Sequence, residues 1–92
     1  MKFLAVCGFG VGSSMILKMS IDKAVRALGI DAEVENTDVA SVRGANCDAI
    51  FTSVELAKEL ESSVKVPVLP VKRYMDVNEV TEQLKSFLER EK

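Results

Sequence analysis

Cys7 stands directly before the run Gly8-Phe9-Gly10-Val11-Gly12-Ser13-Ser14, where the chain concentrates its clearest chemical potential. Three glycines free the backbone to curl, so that successive N–H groups can point inward and form a nest for an anion. A helix beginning after this run adds unpaired N–H groups and the positive end of its dipole. The same field favours thiolate over thiol, and the thiolate is the nucleophilic form of cysteine. Ser13 and Ser14 can donate hydroxyl hydrogen bonds to phosphate oxygens, or one of them can cap the helix. A cysteine closing a core strand is more often inert filling than a nucleophile. Here the succession of strand, cysteine, glycine loop, serines and helix assigns Cys7 to catalysis and Gly8 through Ser14 to phosphate binding. Cys47 follows a polar stretch ahead of another strand and has no such surroundings, so its expected role is structural or incidental.

Rival loop chemistries fail at a required position. A nucleotide-binding Walker loop needs a lysine after its last glycine, and Ser13 follows Gly12. The dinucleotide fingerprint G-x-G-x-x-G would place its third glycine where Ser13 stands. A cysteine phosphatase loop clamps phosphate with an arginine six residues after the cysteine, and that position is again Ser13. The chain contains no histidine, and no aspartate lies between Cys7 and Ser14 to serve as a general acid. A loop that accepts a phosphoryl group on cysteine but lacks the parts to hydrolyse it suits a carrier. Neither a metal nor a cofactor is called for.

The loop must be positioned by the elements around it. Phe3 to Val6 is a short apolar run of the kind buried on both faces of a parallel sheet. Leu17, Ile21, Ala24, Val25 and Leu28 recur at helical spacing until Gly29 supplies a stop, with Ser13 or Ser14 as the cap. Residues Ala32 to Thr37 alternate as an edge strand, and Asp38 caps a short helix that runs through Val42 and breaks at Gly44. Ala49 to Thr52 is a second buried strand, followed by a helix from Val54 to Leu60 capped by Ser53. Val64 to Val71 reads as an edge strand because Pro67 and Pro70 cannot donate to a ladder. Asp76 opens a final helix, with Glu79 as its capping-box partner and Val77, Val80, Leu84, Phe87 and Leu88 as its apolar stripe. The order βαβαβαβα predicts an α/β fold: a Rossmann-like four-stranded parallel sheet, order 2-1-3-4, with helices on both faces. Its ligand site belongs beyond the carboxyl end of the first strand, beside Cys7.

Composition narrows the function classes. Ninety-two residues suit one domain, 1–92, and 48% hydrophobic with 28% charged residues is an ordinary globular balance. Twelve basic against fourteen acidic residues give a net charge of −2 with no basic block, so nucleic acid is not an expected partner. Four apolar residues before Cys7 fall short of the about 7–15 of a secretory signal. No apolar stretch approaches the roughly 20 residues that span a bilayer. A cytoplasmic chain with reduced thiols and no direct membrane insertion is expected.

The pattern Cys7-Gly8-Phe9-Gly10-Val11-Gly12-Ser13-Ser14-Met15, followed by Leu17-Lys18-Met19, resembles the IIB component of the bacterial phosphoenolpyruvate-dependent sugar phosphotransferase system. The likeness extends over the whole chain in length and element order. It is most similar to the ascorbate type, with the galactitol type next, whereas cellobiose and lactose types carry a less glycine-rich loop. The resemblance implies a relay in which a phosphohistidine on a IIA phosphoprotein donates to Cys7, and Cys7 donates to substrate held in a IIC membrane transporter. It gives Cys7 the role of active-site cysteine and Gly8 through Ser14 that of phosphate cradle. Phe9 departs from the smaller or polar residue common at its position, which bears on partner contact and not on the chemistry. The alternatives are a IIB for galactitol or another carbohydrate, a relative of the low-molecular-weight cysteine phosphatases, and a non-catalytic interaction or regulatory module.

If the glycine loop forms the cradle, a β-carbon at Gly10 or Gly12 closes the nest or strains its backbone. Gly10→Val and Gly12→Val are expected to slow phosphorylation while leaving the helical circular dichroism unchanged. Normal rates in both variants would show that the cradle is built otherwise.

Overall fold

The computed structural model describes residues 1–6, 11–42, 44 and 46–90, with the side chains of 11–14, 40 and 90 outside the description. The elements follow in the order β1 (Lys2–Val6), α1 (Val11–Ala27), β2 (Glu33–Thr37), α2 (Val39–Val42), β3 (Ala49–Thr52), α3 (Val54–Leu60), β4 (Val68–Pro70) and α4 (Val77–Arg90). All strand pairs are parallel, in the spatial order β2-β1-β3-β4. The fold is therefore the α/β arrangement that the alternating pattern predicts.

Side chains of a strand alternate between faces, and β1 and β3 are apolar at both phases because both faces are covered. Phe3, Ala5, Ala49 and Phe51 point to one face, where Leu17, Ile21, Ala24 and Val25 of α1 meet Val80, Leu84 and Phe87 of α4. Leu4, Val6 and Ile50 point to the other, against Val42 of α2 and Leu60 of α3. Phe3 organises the first face: its ring meets Phe51 and Phe87 edge-on, each with a centroid separation of 5.8 Å. Such pairings place the positive ring edge against the negative ring face and add to the gain from burial.

Three boundaries differ from the sequence expectations, each for a local reason. The last strand is shorter than Val64 to Val71. The Val64 N–H donates to the Leu60 carbonyl, which commits that residue to the turn closing α3 and leaves only Val68–Pro70 in the sheet. Pro70 is tolerated there because Val71 donates its N–H to Thr52, so the alternate position 70 turns its nitrogen to the open edge. The second strand starts at Glu33 and leaves Ala32 outside. The first helix starts at Val11, so Ser13 and Ser14 lie inside its first turn and do not cap it.

The far end of α1 follows expectation. Gly29 N–H donates to Arg26 and Ile30 N–H to Val25, the paired bonds of a Schellman motif, with Gly29 at φ 68°. Ile30 and Val25 pack into the same core cluster, which turns the chain toward β2. A β-carbon at Gly29 would meet nothing within 4 Å, so only the left-handed backbone opposes substitution. Gly29→Ala is therefore expected to lower stability by about 1 kcal/mol without altering the fold, measured as a shifted urea midpoint at constant slope.

Candidate functional site at the carboxyl edge of the sheet

The strands end in register. Val6 lies opposite Thr37 on one side and Thr52 on the other, and Thr52 lies opposite Pro70. β1 ends at Val6 in the middle of this row, and α1 begins at Val11. Cys7, Gly8, Phe9 and Gly10 lie outside the described residues, as do the side chains of Val11, Gly12, Ser13 and Ser14. Their described frame is a buried central strand on one side and a helix of 17 residues on the other. The N–H groups opening a helix have no partner within it, and the first turn of α1 contains no acidic residue to occupy its positive end. Because Gly12 is helical, the demand for a special backbone dihedral there falls away, and the test of the cradle rests on Gly10.

Other contributors to this edge left no signature in the sequence. Thr52 is fully buried, and its hydroxyl donates to the Val6 carbonyl at 2.7 Å, at the last residue before Cys7. The segment between β4 and α4 is held from several directions. Val71 N–H donates to the Thr52 carbonyl at 2.8 Å, and the buried Ser20 hydroxyl of α1 donates to the Tyr74 carbonyl. The Glu79 carboxylate accepts the N–H groups of Lys72 at 2.7 Å and Arg73 at 3.0 Å. This corrects the capping-box expectation. Asp76 does cap α4, since its carboxylate accepts the Glu79 N–H at 3.1 Å, but the Glu79 side chain serves the preceding loop. The exposed Lys72 and Arg73 thereby stand beyond the same end of the sheet as Val6, although the stretch from Cys7 to Ser14 contains no basic residue.

Cys47 belongs to the opposite end. It lies in an open polar depression of about 530 Å³ with Met1, Lys2, Glu33 and Asp48, where the Asp48 N–H donates to the Lys2 carbonyl at the start of β1. The four steps of β1 span about 13 Å, whereas a disulfide tolerates Cα separations of up to about 7 Å, so these surroundings are far from Val6. Burial pushes the Cys47 thiol up, the Asp48 carboxylate pushes it further, and Lys2 opposes both. Each of the two leading causes disfavours the thiolate. Cys47 is half-buried and packs against the core cluster that holds Leu4 and Ile50.

Comparison with known proteins gives a consistent likeness. The family model for the "PTS system, Lactose/Cellobiose specific IIB subunit" matches residues 2–86. The "Ascorbate-specific PTS system EIIB component" of Mycoplasma pneumoniae is 31% identical over 90 residues, covering 96% of this chain and 95% of that protein. The protein of the same description from Escherichia coli O157:H7 is 38% identical over 61 residues, covering 64% of this chain and 60% of that one. Among solved structures, the lactose-specific IIB component domain from Streptococcus pneumoniae superposes with a TM-score of 0.63 at 16% identity, covering 100% of this chain and 98% of that one. The last likeness speaks for the fold alone.

The electrostatics of Cys47 can be checked directly. Its alkylation by iodoacetamide should reach half-maximal rate at a higher pH in the folded protein than in urea. Asp48→Asn should move the folded midpoint down, since removing a neighbouring negative charge favours the thiolate. Rates followed by mass spectrometry of the Cys47 peptide decide the matter.

Proposed function

We propose, from the premise that this chain belongs to the lactose/cellobiose-specific IIB family of the phosphotransferase system, that it carries a phosphoryl group on Cys7 from a IIA phosphohistidine to ascorbate held by a IIC transporter. As a IIB component it is a phosphotransferase subunit of a sugar phosphotransferase system. In the proposed first step the Cys7 thiolate attacks the phosphorus of the donor. The S–P bond forms as the N–P bond breaks, and the imidazole leaves with its electron pair. In the second step a substrate hydroxyl attacks the same phosphorus, its proton passes to solvent or to a base on the partner, and the Cys7 thiolate departs.

The observation that carries this reading is the place of Cys7 in the chain. It follows the last residue of the central strand and precedes by four positions a 17-residue helix whose first turn is free of acidic side chains. The helix end, the N–H groups of Gly8 through Ser13 and the Ser14 hydroxyl would stabilise the dianion without a guanidinium clamp. That balance suits a group that must leave again. Ascorbate is favoured over lactose as the substrate because the Mycoplasma pneumoniae relative covers nearly the whole chain at 31% identity, whereas the lactose-specific structure shares only 16%. The reading includes a cytoplasmic location. Among the described residues no helix is long and apolar enough to cross a membrane.

Incubation with phosphorylated IIA proteins of the ascorbate and galactitol types, followed by peptide mass mapping at neutral pH, tests both parts. The expected result is a single phosphoryl group on Cys7, transferred faster from the ascorbate-type donor, lost in Cys7→Ser and retained in Cys47→Ser. Phosphate on Cys47, on a serine or on an aspartate would overturn the assignment. A preference for the galactitol-type donor would overturn the substrate.

A further inference from the structure

Thr52 occupies a position where an apolar residue of the same shape would serve the packing equally well. It closes β3, whose other residues are Ala49, Ile50 and Phe51, and all four are fully buried. Valine is isosteric with threonine and favoured in such strands, whereas a buried hydroxyl is unfavourable unless it is hydrogen-bonded. The Thr52 hydroxyl is used: it donates at 2.7 Å to the carbonyl of Val6 across the parallel pair. The sheet ladder cannot continue from β3 beyond this point, because Ser53 leaves the strand to cap α3, accepting the Leu56 N–H at 3.2 Å. The hydroxyl supplies a donor to the β1 carbonyl where the strand itself ends.

The bonded carbonyl belongs to the peptide linking Val6 to Cys7. That peptide is planar, so holding its oxygen sets the direction in which the chain enters Cys7. Thr52 is itself held on its other side, where its backbone carbonyl accepts the Val71 N–H at 2.8 Å. It thus ties the exit of the central strand to the loop bearing Lys72 and Arg73. We propose that Thr52 is a positioning residue for phosphoryl transfer, orienting the Val6–Cys7 peptide through its hydroxyl. This rests on the reading of Cys7 as the phosphoryl acceptor. Transfer depends steeply on the placement of the reacting atom, and a loss of orientation lowers the rate at saturating donor without weakening donor binding.

The test is single-turnover transfer from a phosphorylated ascorbate-type IIA protein, with rates referred to the folded fraction measured by circular dichroism. Thr52→Val should reduce the saturating rate about tenfold or more at unchanged half-saturating IIA, and Thr52→Ser, which keeps the donor, should stay within about threefold of the parent. In a Cys47→Ser background, Thr52→Val should also change the pH profile of Cys7 alkylation, which a purely structural threonine would leave in place. A second measurement uses the unmutated protein, so it stands even if Thr52→Val fails to fold. Phosphorylation of Cys7 should shift the Thr52 methyl resonance more than any other methyl resonance of β3 and β4. Parent-like transfer in Thr52→Val, or a Thr52 methyl resonance that does not respond to phosphorylation, would overturn the proposal while leaving Cys7 as acceptor. Phosphorylation of the parent at a residue other than Cys7 would instead overturn the functional reading, and this inference with it.

Discussion

Burial of β1 on both faces is the constraint from which the rest of the structure follows. Phe3, Leu4, Ala5 and Val6 are at most 3% exposed, so their backbone N–H and C=O groups have no recourse to water. They must be satisfied by strands on both sides, which places β2 and β3 as parallel neighbours and leaves β4 to cover the free side of β3. Parallel neighbours in turn require crossovers, and the helices within those crossovers cover the two faces. The edge-on contacts of Phe3 with Phe51 and Phe87 lock the same strand to its neighbour and to the last helix. A central strand so enclosed ends at one well-defined point, Val6, and the chain leaves the sheet from there.

The carboxyl edge is stabilised by polar side chains acting on backbone groups. Thr52 meets the Val6 carbonyl, Ser20 the Tyr74 carbonyl, and Glu79 the amides of Lys72 and Arg73. At each of these points the chain is departing from regular structure and its ladder or helix bonds run out. A side-chain oxygen close in space supplies the missing partner, which for the buried Val6 carbonyl avoids the cost of leaving it unpaired. The amino edge adds an ion pair, Lys2 with the exposed Glu35 at 3.1 Å, to a contact of the same kind, in which the Lys2 N–H donates to the Asp48 carboxylate. Cys47 lies at this amino end, and Val6, the residue before Cys7, lies at the other.

A phosphoryl carrier faces opposing demands, since it must stabilise a dianion enough to accept it and not so much that it is retained. In the proposed reading, backbone dipoles would meet the first demand without the full countercharge of a guanidinium. The basic side chains of Lys72 and Arg73 stand on the β4–α4 loop, two strands away from β1, and do not belong to the cysteine loop itself. Met15, Ile16 and Met19 of α1 and Met75 of that loop are exposed. Methionine-bearing surfaces of this kind adapt readily to a partner.

The amino-acid sequence by itself determined the elements and their order. The doubly apolar runs at Phe3–Val6 and Ala49–Phe51 specified the central strands, Gly29 the end of α1, and Ser53 and Asp76 the starts of α3 and α4. These signals are legible because each acts over a few residues, through burial periodicity or a local backbone preference. The strand–cysteine–glycine loop pattern that singled out Cys7 is local in the same way. Tertiary structure decided what depends on groups distant in the chain. It set the start of α1 at Val11 in place of the serines, the shortening of β4 by the turn that closes α3, and the use of Glu79 for the preceding loop in place of the cap. It also brought Thr52 to Val6 across 46 positions and Ser20 to Tyr74 across 54. A threonine in a strand or a serine in a helix has the same local preferences whether or not a carbonyl waits opposite, and only the parallel pairing and the packing of α1 against the final loop bring those carbonyls within reach.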